Sequence, residues 1–342
     1  MEVVTGLTLK NLRPRVWDPL SPEYVAGVTA VMLSFDEFRH RPNLLQKAIS
    51  SGLTSVLFAG NKSVTDAPRV FLDNGAFACL RRGDEPAMQE YTKFVAATRP
   101  AWYPVPADFI PLPVYSRQRQ RKLFDRTLAV LEANSGDGFC PVVHPGPWLD
   151  LYMDVLHRLG QTKQLAIGGL VPHLLNSPGA QRRQTILMLR RIRRDFPGHI
   201  HAFGIGGIVT LHLAAALGLD SLDSSGWRQR AARGLVNLRG RGERQAVKLG
   251  SWKGRELTVE EWKELSRCRC PACRITGTAG LRRDGIEGFI ARATHNLAVL
   301  LDEAELIRRH LASGDFASWS PKRIGSNALA ELVRVALDKA NP

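Results

Sequence analysis

The sequence lacks long apolar runs and has few cysteines. No hydrophobic stretch in its 342 residues approaches the roughly 20 residues that a membrane-spanning helix requires, and the N-terminal segment MEVVTGLTLKNLRPR lacks the apolar core of a signal peptide. These absences predict a soluble cytoplasmic protein with no membrane partner. Of the five cysteines, Cys79 and Cys140 stand alone and three others cluster, which argues against a disulfide framework and indicates a reducing compartment.

Acidic residues are also scarce relative to basic ones. The chain has 32 Asp and Glu against 47 Lys and Arg, which gives a formal charge of +15. Such an excess is unusual for a metabolic enzyme and favours a polyanionic partner, either nucleic acid or an acidic membrane surface. The hydrophobic content of 44% is sufficient for one large α/β domain or for two ordinary domains.

Eight short apolar, β-branched segments recur along the first two thirds of the chain, most of them separated by helical stretches. They lie at residues 28–34, 54–59, 69–73, 101–107, 139–144, 165–169, 200–204 and 219–223. Several end in polar or glycine-rich turns such as FLDNG, VPADF, AIGGL and LDSSG. Eight strands with reactive residues at their C-terminal ends are typical of an α/β fold of the (β/α)8 TIM barrel type. A doubly wound sheet is the alternative.

Helical periodicity is clear in 179–195, where Ile186, Leu189 and Ile192 recur among six arginines on a basic outer face. The stretch 238–255 is rich in glycine and positive charge, which predicts a loop or a short hairpin after the last strand. A long amphipathic region follows at about 285–313, and a final helix is predicted at about 326–340.

Three cysteines fall within six residues, in Cys268-Arg-Cys270-Pro-Ala-Cys273. His295 could complete a tetrahedral Cys3His site, and His310 is a weaker candidate for the fourth ligand. Zinc favours soft thiolates with one imidazole, and a site filled by four protein ligands is structural because no position stays open for substrate. The pattern predicts structural Zn2+, and the alternative is a chance cluster of buried thiols.

The expected domain organisation follows from these elements. We expect residues 1–255 to form the catalytic part of the barrel and residues 256–300 to form a zinc-binding subdomain. Residues 301–342 would then supply C-terminal helices that complete the barrel.

The chain resembles the tRNA-guanine transglycosylase superfamily from about residue 69 to 318. CRCPAC followed by THNL is similar to the zinc signature of that family, and LIRRHLASGDFASW to the helix and tail that follow it. Upstream, FLDNGAF, AIGGL, HAFGIGG and GLDSLDSSGWRQRAARG resemble, in family order, its Asp-Ser-Gly-Gly-Phe/Tyr, Gly-Gly-Leu, Met-Gly-Val-Gly and nucleophile segments. The resemblance implies a glycosyltransferase that exchanges one base of a nucleic acid for another.

The resemblance also implies which residues carry the chemistry. Exchange with retention proceeds through a covalent glycosyl intermediate, with Asp223 as the nucleophile and Asp73 as the general acid and base. Each aspartate has a structural alternative, since Asp223 could cap the turn at Ser224-Ser225 and Asp73 could form an Asx turn before Gly75.

Other residues would hold the base. Asp108 would accept hydrogen bonds from the donor-rich edge of guanine, and Phe77 and Phe203 would sandwich its ring, although either aromatic could be plain core. The resemblance further suggests that the backbone amides of Gly168 and Gly169 donate to the base carbonyl. It also suggests that His144 either contacts the base or supports such a contact.

The departures from the family concern the polynucleotide. Ser225-Gly226-Trp227 and Val171-Pro172-His173 stand where the tRNA enzymes carry elements that read the anticodon loop. The chain is therefore more similar to the DNA-guanine transglycosylases, which exchange guanine in DNA for a 7-deazaguanine such as preQ0. This implies DNA and a free 7-deazaguanine base as partners, together with other proteins of a DNA-modification system. The alternatives are a tRNA-guanine transglycosylase and a non-catalytic nucleic-acid-binding paralogue.

Cations of the 238–255 stretch are the predicted phosphate contacts, although a run of charge is often only a solvated face. They are Arg239, Arg241, Arg244, Lys248 and Lys253, and the six arginines of 179–195 are further candidates. Trp227 is predicted as a wedge or stacking residue beside a flipped nucleotide.

Overall fold

The computed structural model describes residues 1–58, 66–134, 138–160, 163–251, 254–324 and 328–338. The strands in these residues are β1 (Glu2–Gly6), β2 (Ala30–Ser34), β3 (Arg69–Asp73), β4 (Val142–Val143), β5 (Gln164–Ile167), β6 (His199–Ala202), β7 (Ser221–Ser224), β8 (Leu235–Leu238) and β9 (Gly242–Gln245). The α-helices are α1 (Phe35–Arg39), α2 (Pro42–Ser51), α3 (Thr54–Leu57), α4 (Ala76–Arg82), α5 (Met88–Thr98), α6 (Arg117–Ala133), α7 (Leu149–Arg158), α8 (Gly179–Asp195), α9 (Ile208–Ala216), α10 (Gly226–Ala232), α11 (Val259–Ser266), α12 (Pro271–Arg282), α13 (Gly285–Ala312), α14 (Phe316–Ile324) and α15 (Ala328–Leu337). A π-helical turn spans Val171–Leu175.

Strands β1 to β7 form one parallel sheet in the order β3-β2-β1-β7-β6-β5-β4. The segment 101–105 joins its two edges, because the Leu72 amide donates to the Trp102 carbonyl and the Val105 amide donates to the Cys140 carbonyl, each at 2.9 Å. Since parallel strands connected by helices bury both faces of the sheet, most strand residues are buried, including polar ones such as His201 and Ser221. This curled sheet confirms the predicted α/β, TIM-barrel-like class.

One predicted strand is wrong, a second forms only isolated bridges, and one observed strand was not predicted. The second is the segment 101–107, which bridges Phe71 through Trp102 and Cys140 through Pro104. Residues 54–57 of the predicted strand 54–59 form α3, a single helical turn that buries Val56 and Leu57, and residue 59 lies outside the described residues. Strand β1 takes its place, paired with β2 on one side and β7 on the other. Both of its neighbours are remote in sequence, so only the assembled sheet selects this segment as a strand.

The later elements follow the predicted pattern. Helix α8 has the predicted bounds and buries Ile186, Leu189 and Ile192. Strands β8 and β9 form the antiparallel hairpin expected in 238–255, although the hairpin begins earlier, at Leu235. The expected domain boundary at residue 300 falls inside α13, which packs against α9, α10 and α12. The division into domains stays a prediction. No helix in the described residues is both long and apolar enough to cross a bilayer.

Candidate active site and metal cluster

A cavity of about 790 Å3 lies at the carboxyl ends of the parallel strands. The ends of most strands contribute to its wall, from Gly6 at the end of β1 to Ser224 at the end of β7. The predicted site residues that line it are Asp73, Phe77, Asp108, Gly168, Gly169, Phe203 and Asp223. The fold therefore gathers three carboxylates, two glycines and two aromatic rings from distant parts of the chain at one opening.

Asp223 is held through one of its carboxylate oxygens. Its Oδ1 accepts a hydrogen bond from the Gly204 amide at 2.7 Å and lies 3.6 Å from Nε2 of His201. The loop after β6 approaches β7 so closely that a Cβ atom on Gly206 would lie 2.1 Å from the Cβ of Ser224. Only glycine fits there, and its absence of a side chain lets the Gly204 amide reach the carboxylate.

Asp73 ends β3 and faces the same cavity. Its Oδ2 accepts hydrogen bonds from the Ser34 hydroxyl and from the Gly75 amide, each at 3.1 Å, so the Asx turn is present as well. Burial, followed by the negative charges of Asp108 and Asp223, raises the pKa of Asp73 from 3.8 to about 7. A carboxyl group with this pKa can both give and take a proton near neutrality.

Asp108 is buried, with 7% of its surface exposed, and each of its carboxylate oxygens lies within hydrogen-bond distance of a side-chain nitrogen. Asn74 donates to Oδ1 at 2.9 Å, and His144 Nε2 lies 2.9 Å from Oδ2. His144 is itself buried behind the cavity, with Nδ1 3.3 Å from the Tyr152 hydroxyl. Of the two roles expected for His144, the structure shows the contact that holds Asp108, and direct contact with a base stays a prediction.

Gly168 plays a different part from the one expected, whereas the role of the Gly169 amide stays a prediction. The Gly168 amide donates to the Val143 carbonyl at 2.9 Å, so the sheet occupies the hydrogen bond that was predicted to meet a base carbonyl. A Cβ atom on Gly168 would lie 2.8 Å from His144 Nε2, so this glycine makes room for the histidine. Gly169, with a φ of 70°, lines the cavity.

Two aromatic rings flank the opening. Phe77 projects from α4 and is 47% exposed, whereas Phe203 is partly buried. The Phe203 ring packs edge-on against the His201 ring, with centroids 5.0 Å apart. A large exposed apolar ring at the mouth of a polar cavity is suited to contact with a planar base, and the sandwich stays a prediction.

Trp227 does not reach the cavity. It is fully buried and donates from Nε1 to the Gly6 carbonyl at 3.2 Å. The prediction of a wedge or stacking residue is wrong, because an indole enclosed in the core has no exposed face to offer a nucleotide.

The cations of the hairpin are mostly engaged with carboxylates. Arg239 pairs with Asp302 at 2.7 Å and Arg244 with Glu261 at 3.0 Å, while Arg241 pairs with Glu264. Lys248 is exposed, and Lys253 lies outside the described residues. Gly242 and Glu243 nevertheless line the cavity, so the hairpin does flank its mouth. The cations that line the cavity itself are Arg81, Arg230 and Arg233, which sequence reasoning missed.

A second constellation lies near the C-terminal part of the chain. The Sγ atoms of Cys268, Cys270 and Cys273 lie 3.6, 3.6 and 3.5 Å from Nδ1 of His295. Tetrahedral zinc, with Zn–S of about 2.3 Å and Zn–N of about 2.0 Å, separates sulfur from nitrogen by about 3.5 Å. His295 Nε2 lies 3.0 Å from the Asn237 carbonyl, to which it can donate, leaving Nδ1 as the ligand atom. These four residues can hold a metal ion.

His310, the weaker ligand candidate, does not belong to this cluster. Its ring stacks on Trp319 with centroids 3.9 Å apart, and its Nδ1 lies 2.7 Å from an oxygen of Asp315. His310 instead joins the C-terminal end of α13 to Asp315 and Trp319, which follow that helix.

Two supporting residues were not identified from the sequence. Asn74 follows Asp73 directly in FLDNG, so its place at the end of a predicted strand could have marked it as a site residue. His201 gave no such signal, because its inward direction depends on the register of β6 against β7.

Comparison with known proteins agrees with this geometry. The family model described as Queuine tRNA-ribosyltransferase matches residues 89–328, more than half of the chain. The matched range contains Asp108, Asp223 and the cysteine cluster and begins after Asp73. The tRNA-guanine(15) transglycosylase of Methanopyrus kandleri is 25% identical over 300 residues, which cover 84% of this chain and 60% of that protein. The chain thus spans about 60% of the length of this curated relative.

Proposed function

We propose that this chain, which belongs to the queuine tRNA-ribosyltransferase family, is a transglycosylase that exchanges guanine in a nucleic acid through a covalent bond between Asp223 and the nucleotide sugar. One observation carries the proposal. Asp73, whose pKa is raised to about 7, shares the cavity with Asp223, whose Oδ1 but not Oδ2 has a hydrogen-bond donor among the described residues. This pairing supplies a proton-transfer group and a nucleophile.

The exchange takes two displacements. In the first, Oδ2 of Asp223 attacks C1′, the bond from C1′ to N9 breaks, and the departing guanine receives a proton from Asp73. In the second, the incoming base loses its N9 proton to the Asp73 carboxylate, and N9 displaces Asp223 from C1′. Two inversions give net retention, and Asp73 ends protonated, as it began.

Recognition of the base falls to Asp108. Its carboxylate lines the cavity while Asn74 and His144 hold both oxygens in place. Each oxygen has a further lone pair, so the pair can accept hydrogen bonds from the N1 and N2 donors of a guanine-type base. A free 7-deazaguanine keeps those donors, which makes it a suitable incoming base.

The polynucleotide has two candidates. The family description and the relative both name tRNA, which favours tRNA as the substrate. DNA is favoured by Val171, Pro172, Ser225 and Gly226, small or apolar residues that line the cavity where the resemblance expects anticodon-reading elements. Zinc is the metal we propose for the Cys3His cluster, with a structural role because four protein ligands leave no open position.

A single exchange assay tests these points. The protein is incubated with labelled guanine and either tRNA or duplex DNA, and incorporation is followed together with a denaturation-resistant adduct. Asp223→Asn should abolish both signals, whereas Asp150→Asn, on an exposed carboxylate of α7, should retain them. Exchange into tRNA alone selects tRNA and exchange into DNA alone selects DNA. Binding without exchange or adduct on either polymer would overturn the proposal in favour of a non-catalytic paralogue.

A further inference from the structure

His201 is the unexplained group beside the proposed nucleophile. It is fully buried inside the barrel, and its Nε2 atom has no hydrogen-bond partner among the described residues. That atom lies 3.6 Å from Oδ1 of Asp223. A buried polar atom without a partner costs free energy, so its direction toward a reactive carboxylate requires a reason.

The other ring nitrogen of His201 indicates which atom carries the proton. His201 Nδ1 lies 2.9 Å from the Ser221 hydroxyl, which lies 2.8 Å from Nε2 of His199. When the Ser221 hydroxyl donates to His201 Nδ1 and accepts from His199, the proton of a neutral His201 is on Nε2. The opposite arrangement would aim a nitrogen lone pair at the Asp223 carboxylate, which repels it.

We infer that His201 is a positioning residue for Asp223, an inference that rests on the proposed transglycosylase function. Its Nε2 proton and the Gly204 amide both point at Oδ1, and this leaves Oδ2 as the attacking oxygen. Once the sugar is attached, Oδ1 is the carbonyl oxygen of the ester. When the incoming base displaces Asp223, negative charge returns to the carboxylate and the two donors stabilise it.

The surroundings of His201 strengthen this contact. The rings of Phe71, Trp102 and Phe203 pack around the imidazole, with centroids 6.2, 4.8 and 5.0 Å away. They exclude water from the side chain, and the electrostatic attraction between a ring N–H and a carboxylate is stronger in such a setting than in water. Within the part of the chain that the structure describes, the imidazole faces the carboxylate of Asp223 and, through Ser221, the ring of His199.

Two substitutions of similar size separate positioning from packing. His201→Gln can present an N–H donor at about the reach of Nε2, whereas His201→Asn ends at about the reach of Nδ1. We expect His201→Asn to lower kcat roughly 10- to 100-fold, to accumulate the covalent adduct and therefore to lower KM for the nucleic acid together with kcat, and we expect His201→Gln to recover most of the loss in kcat. Equal loss in both variants with a raised KM, or wild-type kcat in His201→Asn, would overturn the inference.

A spectroscopic measurement tests the contact without relying on turnover. In protein with 15N-labelled histidine, NMR correlation of the ring nitrogens should find neutral His201 protonated on Nε2, with a signal that shifts in Asp223→Asn. A proton on Nδ1 would overturn the inference whatever the exchange assay yields. An Nε2 proton coupled to Asp223 without exchange into tRNA or DNA would support the contact and defeat the proposed function.

Discussion

The carboxylate cavity and the cysteine cluster are built in opposite ways. Asp73, Asp108 and Asp223 come from distant parts of the chain, and their like charges face one cavity. The three cysteines lie within six residues, and His295 approaches all of them from α13. A divalent metal ion would neutralise most of the thiolate charge, whereas among the described residues none of the three carboxylates forms an ion pair with an arginine or a lysine, although three arginines line the same cavity. In the cavity, repulsion between carboxylates contributes to the raised pKa of Asp73, which suits proton transfer. In the cluster, a bound metal ion would remove the repulsion between thiolates and stabilise the fold.

The largest expected effect lies in the cluster. Cys270→Ser should lose the metal and unfold the region around α12, because structural zinc contributes about 10–16 kcal/mol in zinc-finger peptides. Wild-type protein should contain about one zinc per chain by elemental analysis. His310→Ala is the matched control and should keep its zinc, since that imidazole faces Asp315 and Trp319. A Cys270→Ser protein that retains both metal and melting temperature would contradict the assignment.

Asp73 provides the corresponding test in the cavity, with a sign set by its pKa. Because folding raises that pKa from 3.8 to about 7, the folded state binds the proton more tightly. The resulting stability is fully present below pH 3.8 and is lost as pH rises through about 7. An asparagine at this position stays neutral at every pH, so Asp73→Asn should be more stable than the wild type at pH 8. The difference should be up to a few kcal/mol, since one unit of pKa shift corresponds to about 1.4 kcal/mol.

Asp73→Asn should also abolish exchange, since an amide cannot transfer the proton. Chemical denaturation at pH 5 and pH 8 measures the change in stability, and Asp150→Asn serves as the control on an exposed carboxylate. Equal unfolding free energies of wild type and Asp73→Asn at both values of pH would show that folding does not raise the pKa of this carboxyl group.

The same contrast explains what the sequence could predict. The cysteine cluster is local, so Cys268 to Cys273 and His295 were identifiable from spacing and ligand chemistry alone. Asp73 and Asp223 were identified because each ends a short apolar strand, and the resemblance gave them roles. The sequence left the role of His144 open and did not identify Asp108 as its partner, and it did not predict the burial of Trp227, because both depend on packing between segments that are remote in sequence. Strand β1 was missed for the same reason.

His144 gives a smaller effect that sharpens the account of the cavity. His144→Ala would leave one oxygen of Asp108 without its partner at 2.9 Å and free the carboxylate to rotate. We expect weaker binding of guanine by about tenfold, in line with roughly 1–3 kcal/mol for a lost buried hydrogen bond. Tyr152→Phe is the matched control, because it removes only the 3.3 Å contact behind the ring. Calorimetric titration with guanine would measure both, and equal affinities in wild type and His144→Ala would exclude the supporting role.

The smallest effect concerns the cations around the two regions. Arg81 lines the cavity, is exposed and has no ion-pair partner among the described residues. Near the cluster, Arg241 and Arg244 are engaged by Glu261, whose side chain is 3% exposed, and by Glu264. A cation already paired with a carboxylate releases fewer counterions when a phosphate approaches.

Neutralisation of each group tests which cations contact phosphate. Arg81→Gln should lower the salt dependence of nucleic-acid binding by about one phosphate contact, a slope change of roughly 0.7–0.9. The triple variant Arg239→Gln, Arg241→Gln and Arg244→Gln should change that slope little and lower the melting temperature instead, because Glu261 loses two arginine partners while it stays buried. Binding titrations from about 50 to 200 mM salt separate the two outcomes. A slope loss of about three contacts in the triple variant, with an unchanged melting temperature, would restore the hairpin as the surface that follows the phosphate backbone.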